Sequence, residues 1–438
     1  MTCLVVGFLR IHWIGIGGIG MSAAAMLSKD LGNDISGSVD CMSDRVDTLR
    51  KYGIHVEEGH QAKNIKNPDL VVYTNAVHPN NPELTEVRRR GVPCMRRLDY
   101  LSRLIGQSGR LVIGISGTDG KTTTTAMLAR ILIYEGKDPS VLLGGVHEDL
   151  PYGNYRKGNG PILMEVCESD GELVLIKPWI GAVTNIRMDH LEHYHQLFEE
   201  YHDAIVSFLF HAQRRVCSKG ILAHIEPQSR NYAYDSVDRD IDLRIPGKYN
   251  LMNASCAMVC ASLLDIPESR SRIHLHTYQN VDRRFSVRFE SDSLSIVDDY
   301  AHTPDEIESV VEACREAYPA RSVILAFEPH RYSRLEREGV KFEHMLDQLP
   351  TDKNLLLPIY SAYEPQKPHL YENFCKRVTQ KNGRSQYCES ADDLYDWLDT
   401  QDRSKGIVIL FVGAGDSSRF AKEVAHQIQI RVVKEEKV

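Results

Sequence analysis

Apolar residues in this chain come in short blocks rather than in alternation. Runs of four or five, at 11–14, 70–73, 111–114, 161–164, 180–184, 323–327, 355–358 and 408–411, each end in a glycine-rich or polar turn. Blocks of that length predict strands buried on both faces, the habit of parallel sheets. Helical stretches separate them, at 21–31, at 250–264 and from Pro304 onward. Repetition of strand, turn and helix predicts a doubly wound α/β fold. At 438 residues the chain exceeds one ordinary core. The block order predicts three domains: a Rossmann-like N-terminal domain at 1–107, a central P-loop ATPase-like domain with a mostly parallel sheet at 108–280, and a Rossmann-like C-terminal domain at 281–438.

The turns carry the chemistry. After the run at 111–114 comes Ser116-Gly-Thr-Asp-Gly-Lys-Thr122. Gly117 and Gly120 expose backbone N–H groups that can wrap a polyphosphate, Lys121 adds a point charge, and the Thr122 hydroxyl can hold Mg²⁺. Ile115 stands where the longer consensus loop has its first glycine, so the match is to a shorter variant. The strands at 161–164 and 180–184 run into Glu165 and Glu168 and into Asn185 and Asp189-His190. Hard oxygen donors and neutral imidazole suit Mg²⁺ or Mn²⁺, which makes Thr122, Glu165, Glu168 and His190 candidate metal ligands beside ATP. Near the start, Gly15, Gly17, Gly18 and Gly20 follow a strand and open a helix, with Asp40 some twenty residues on. That arrangement predicts a nucleotide or nucleotide-sugar pocket. In the third segment His330, Arg331 and Arg334 follow a strand. Two arginines three apart on a first helical turn can clamp one carboxylate or phosphate. A phosphate loop, metal ligands and a second anion site predict phosphoryl transfer to a carboxylate, which needs charge neutralisation rather than a protein nucleophile.

Composition narrows the class. A formal net charge of −8 argues against a general nucleic-acid surface or an anionic-membrane anchor. The ten cysteines are scattered without a C-x-x-C pair, as expected of buried thiols in a reducing compartment. No apolar run approaches membrane-span length, so no membrane insertion and a cytoplasmic location are expected. Residues 1–10 are expected to be an extension ahead of the first strand or a misplaced start.

Several motifs in order then bring a family into view: Gly117-Thr-Asp-Gly-Lys-Thr-Thr123, Thr184-Asn185-Ile186 with Asp189-His190, Gly247-Lys-Tyr-Asn250-Leu-Met-Asn253, Asp299-Tyr-Ala-His-Thr-Pro304 and Gly413-Ala-Gly415. From residue 11 to about 423 the chain resembles the Mur ligase family, the ATP-dependent amide-forming enzymes of bacterial cell-wall synthesis. The glycine loop at 12–23, Arg283-Arg284-Phe285 and Pro329-His-Arg-Tyr-Ser-Arg334 resemble the alanine-adding branch. So does the lack of lysine at 191–213, where later-acting members usually have one.

The resemblance implies an acyl-phosphate route and the substrates UDP-N-acetylmuramate, L-alanine and ATP, acted on by a monomer or homodimer. It implies that Gly117, Thr118, Asp119, Gly120, Lys121, Thr122 and Thr123 hold the ATP phosphates, with Asn250 and Asn253 toward adenine, Arg284 on phosphate and Asp299 on the ribose. Gly15, Gly17, Gly18, Gly20, Ser38, Asp40, Thr74 and Ala76 would face the UDP-sugar, and Tyr300, His330, Arg331 and Arg334 the amino acid. Lys121, Glu165, His190, Arg331 and Arg334 would carry the reaction. The chain departs from the branch at Asp119, usually His, at Cys167, usually an acid, and at Tyr249, usually His. A nicotinamide-binding reading of the first glycine loop leaves Lys121 without a role.

Overall fold

The computed structural model describes residues 8–168, 171–187, 194–195, 197–223, 230–234, 241–362 and 364–435. These residues form three sheets with helices between the strands, the α/β architecture expected. The first sheet comprises β1 (Arg10–Ile14), β2 (Asp34–Val39), β3 (His55–Glu58), β4 (Leu70–Tyr73) and β5 (Cys94–Arg96), all parallel in the order β3-β2-β1-β4-β5. The second comprises β6 (Val112–Ser116), β7 (Ser140–Leu142), β8 (Tyr155–Arg156), β9 (Ile162–Glu165), β10 (Ile180–Val183), β11 (Arg214–Ser218) and β12 (Asn231–Tyr234). Its order is β12-β11-β10-β6-β9-β7-β8, and β8 runs antiparallel. The third holds β13 (Ser286–Glu290), β14 (Leu294–Asp299), β15 (Ser322–Phe327), β16 (Lys353–Leu356), β17 (Ser385–Tyr387) and β18 (Ile407–Val412), in the order β13-β14-β18-β15-β16-β17, with β13 antiparallel.

The unbroken apolar blocks map onto central strands because helices cover both faces of each sheet. Every residue of β6, β14 and β18 is buried. The strand expected at 111–114 runs instead from Val112 to Ser116, since the ladders with β9 and β10 continue through Ile115 and Ser116 while Leu111 is exposed. The helix expected at 250–264 is Lys248–Ser262, two residues earlier at each end. Among the described residues no helix is long and apolar enough to cross a membrane, and the cysteines are free.

The chain divides into two compact units, Met1–Arg244 with Asn250–Tyr278, and Ile245–Tyr249 with Gln279–Val438. Within the first unit the first two sheets are tied by polar contacts. Asp30 accepts from the hydroxyls of Tyr52 and Tyr155, both at 2.7 Å, and from Lys157 Nζ at 3.0 Å. Asn154 Nδ2 donates to Ile19 O at 2.7 Å and Ser22 Oγ at 2.9 Å, on the opening turn of the helix Ile19–Asp30.

Candidate active site

In the second sheet, β6 lies between β10 and β9, so the ends of three strands converge on the loop at 117–120. Gly117 sits at φ +123° and Gly120 at φ +77°, conformations that L side chains rarely adopt. A Cβ at Gly117 would collide with Thr184 and Asn185, and one at Gly120 with Asn253. Both glycines are set by backbone shape and by close neighbours. The helix Lys121–Tyr134 has no side-chain cap, which leaves its first N–H groups and positive dipole end to the loop.

Lys121 is folded onto its own loop. Its Nζ donates to Gly117 O at 2.7 Å, Thr118 O at 2.6 Å and Glu168 Oε1 at 2.9 Å, which engages all three ammonium protons. Burial pulls this pKa down, but the charge of Glu168, the Cys167 thiol and the charge of Glu165 outweigh it and keep the group cationic. Glu168 is fully buried, so this strand-end acid is turned inward rather than solvated. Glu165 Oε2 accepts from Thr122 Oγ1 at 2.8 Å and from Gly144 N–H at 3.0 Å. A hydroxyl and a carboxylate thus meet at the loop, a donor set that fits Mg²⁺. His190 lies outside the described residues. Thr123, Asn250 and Asn253 are buried, and Asn253 packs on Gly120.

Asp119 places an acid beside the phosphate position. Its N–H donates to Asn185 Oδ1 at 2.9 Å, and its carboxylate pairs with Arg187 Nε at 3.4 Å. Thr118 Oγ1 bonds Tyr201 OH at 2.6 Å and accepts the Arg187 N–H at 2.8 Å. Sequence reasoning missed Arg187 and Tyr201. The signal for the first was Asp119 itself, since an acid at a polyphosphate loop calls for a cation within reach.

In the first sheet the strand order reverses about β1, with β2 on one side and β4 on the other. Such a switch point opens a crevice at the carboxyl edge. The loop after β1 folds against the end of β2, with Gly15 and Ile16 N–H donating to Ser38 O at 2.9 and 3.0 Å. Gly18 precedes the helix Ile19–Asp30, and Thr74 and Ala76 follow β4. The structure therefore gathers Gly15, Gly17, Gly18, Gly20, Ser38, Asp40, Thr74 and Ala76 on one edge of the sheet. Arg97 was also missed: a Cβ on Gly20 would lie 2.5 Å from its Nη1, which sets this guanidinium over the glycine loop.

In the third sheet, cations surround His330. Its ring stacks on Tyr360 at 5.7 Å and meets His302 edge-on at 5.6 Å. Burial, with His302, Arg334, Arg331 and Arg283 nearby, pushes its pKa down to about 3, so the imidazole is neutral. Arg283 and Arg284 lie over the ring of Tyr300 at 5.0 and 5.1 Å. The arginine pair differs from the expected clamp on one helical turn. Arg331 is the residue before the helix Tyr332–Gln348, at φ +70° and exposed, whereas Arg334 is buried with Nη1 3.5 Å from His302 O. A left-handed residue outside the helix takes Arg331 off the helical spacing expected for the pair.

Two acids stand near by. Asp299, the expected ribose ligand, is buried and occupied by the backbone: Oδ1 accepts Ala301 N–H at 2.8 Å and Oδ2 accepts Phe285 N–H at 2.7 Å. Burial raises it to about 6 against the charge of Arg284. Glu328, unremarked in the sequence, is buried with Oε1 accepting Gly415 N–H at 2.8 Å, just ahead of the helix Ser417–Glu435. Burial pushes it up to about 7, against backbone N–H bonds from Gly415 and Asp416.

Comparison with known proteins agrees with this layout. Residues 10–108 match the Mur ligase family catalytic domain, 115–217 the Mur ligase middle domain, and 283–415 the Mur ligase glutamate ligase domain. The chain is 34% identical to the UDP-N-acetylmuramate–L-alanine ligase of Pseudothermotoga lettingae, covering 95% of this chain and 99% of that one. Identity to the enzyme of the same name from Thermotoga maritima is also 34%, over 93% and 94%. Among solved structures, the UDP-N-acetylmuramate–alanine ligase of Thermotoga maritima superposes with a TM-score of 0.82 at 30% identity, covering 97% of this chain and 100% of that one. A murein peptide ligase from Psychrobacter arcticus shares the fold at 19% identity, with a TM-score of 0.67 over 95% and 98%. With three successive segments matching its domain models and relatives 34% identical over nearly the whole chain, the chain belongs to the Mur ligase family.

Proposed function

We propose that this protein joins L-alanine to the lactyl carboxylate of UDP-N-acetylmuramate at the expense of ATP, in the supply of peptidoglycan precursors. The observation that carries the reading is the phosphate loop, where Lys121, Thr122, Glu165 and Glu168 converge on the end of β6. The names of the relatives favour alanine as the amino acid.

In this reading the domain at 1–107 binds the UDP-sugar at the β1 switch point, that at 108–280 binds ATP, and that at 281–438 binds the amino acid. The lactyl carboxylate attacks the γ-phosphate of ATP, breaking its bond to ADP, which leaves, to give an acyl phosphate; the alanine amine then displaces phosphate from the acyl carbon and loses a proton. Lys121 leaves Glu168 and the loop carbonyls to neutralise the transferred phosphoryl group. Thr122 and Glu165, with His190, would hold Mg²⁺, which supplies charge neutralisation when bound. The cations around His330 receive the alanine carboxylate, orienting its amine. Arg284 acts on phosphate, and Asn250 and Asn253 line the adenine side. The free thiols and the small charged substrates fit a cytoplasmic enzyme.

Phosphate release with ATP, UDP-N-acetylmuramate and each amino acid in turn tests this. Turnover is expected with L-alanine. Silence with L-alanine, glycine and L-serine alike would refute it.

A further inference from the structure

Beneath the carboxyl edge of the first sheet lies a fully buried carboxylate that no step above uses. Glu83 opens the helix Pro82–Arg90, its own N–H held by Asn81 Oδ1 at 2.8 Å. Its Oε2 accepts from Ser38 Oγ at 2.6 Å and His60 Nδ1 at 2.9 Å. Its Oε1 accepts from Asn64 Nδ2 at 2.6 Å, and His12 Nε2 stands 3.5 Å away. Burial raises its pKa, but donation from His12, His60, Ser38 and Asn64 wins and holds it at about 2. The group is therefore an anion at neutral pH.

The other nitrogen of His60 reaches Asp40. Its Nε2 is 3.2 Å from Asp40 Oδ1, and the Asp40 side chain is 79% exposed at the end of β2. A ring lodged between two carboxylates has to present N–H to both, so His60 is an imidazolium. Its neighbours are Ser38 and Asp40 on the β2 side, Glu83 on the helix, and His12 of β1, which shares Glu83. Charge alternates from the interior outward: Glu83 negative, His60 positive, Asp40 negative. An acid at the end of the second strand is where this class of fold meets a ribose.

We propose that Glu83 is a positioning residue for the UDP-sugar pocket, fixing Asp40 through a charged His60. The proposal rests on the assignment of Ser38 and Asp40 to the UDP end. Without the buried anion, His60 loses the largest support for its extra proton, and the neutral ring holds Asp40 by one Nε2–H bond without the positive charge.

The test uses full-length protein and steady-state kinetics in each substrate. Glu83→Gln is expected to raise KM for UDP-N-acetylmuramate about tenfold at pH 8 and less at pH 6, leaving kcat and the KM values for ATP and L-alanine within about twofold. Asp40→Asn is expected to raise the same KM, and the double variant to be no worse than Asp40→Asn, because both act on one contact. Should Glu83→Gln fail to fold, His60→Gln is expected to raise the same KM, but equally at pH 6 and pH 8, since the titrating ring is gone. Additive effects, a rise in every KM, or an unchanged UDP-sugar KM beside an impaired Asp40→Asn would overturn the positioning role. If Asp40→Asn itself has no effect, the assignment of Asp40 falls, and the proposal falls with it.

Discussion

Lys121 and Glu168 form a pair in which neither member is replaceable alone. Lys121→Ala removes the cation beside a fully buried carboxylate, so it should abolish turnover and cost ~3 kcal/mol of stability in urea denaturation. Adding Glu168→Gln should recover the stability and leave turnover absent; a single variant with near-normal rate would remove the phosphate-loop mechanism. Asp119 and Arg187 make a weaker couple, since both side chains are partly exposed. Arg187→Ala should raise KM for ATP about fivefold by leaving Asp119 to repel phosphate, and Asp119→Asn in the same chain should reverse most of that. Residue by residue, the loop was legible in the sequence because glycine, lysine and threonine have one shared use at that spacing. Arg187, Arg97 and Glu83 were not, because each works through a partner distant in the chain, and spacing does not encode such contacts.

At the level of elements, buried acids at strand ends set pH responses. Glu328 holds its proton more tightly in the folded chain, at about 7, than its ordinary 4.5 when unfolded. Stability from this group therefore falls as pH rises from 4.5 through 7, by on the order of 3 kcal/mol. Glu328→Gln should gain melting temperature relative to the parent between pH 5 and pH 8; a difference flat across that range would refute the assignment. His330 offers a second readout. Burial and the surrounding cations keep its imidazole neutral, and a bound carboxylate offsets the cations, so L-alanine should shift its NMR titration upward from about 3. Strands were legible from uninterrupted apolar blocks, as β4 and β15 illustrate. The geometry of the arginine pair was not, because the left-handed backbone of Arg331 moves it off the helical spacing that the sequence suggests.

For the whole molecule, three sheets each offer a binding edge, and the proposed chemistry needs all three ligands. An acyl phosphate open to water would be hydrolysed, so phosphate release without L-alanine should stay below about a hundredth of the full rate. A comparable rate without L-alanine would contradict the reading. The three-domain plan could be read from the order of strand-turn-helix blocks. The grouping of the first two sheets into one unit could not, since it depends on Asp30, Asn154 and Tyr155 meeting across separate segments. The folded-back lysine has a further consequence, for ligand discrimination. Because Gly117, Thr118 and Glu168 already satisfy the Lys121 ammonium, a nucleoside or monophosphate gives it no reason to move. Only a polyphosphate brings enough negative oxygen to draw it out, so the loop acts as a threshold that grades nucleotides by charge before any bond is made.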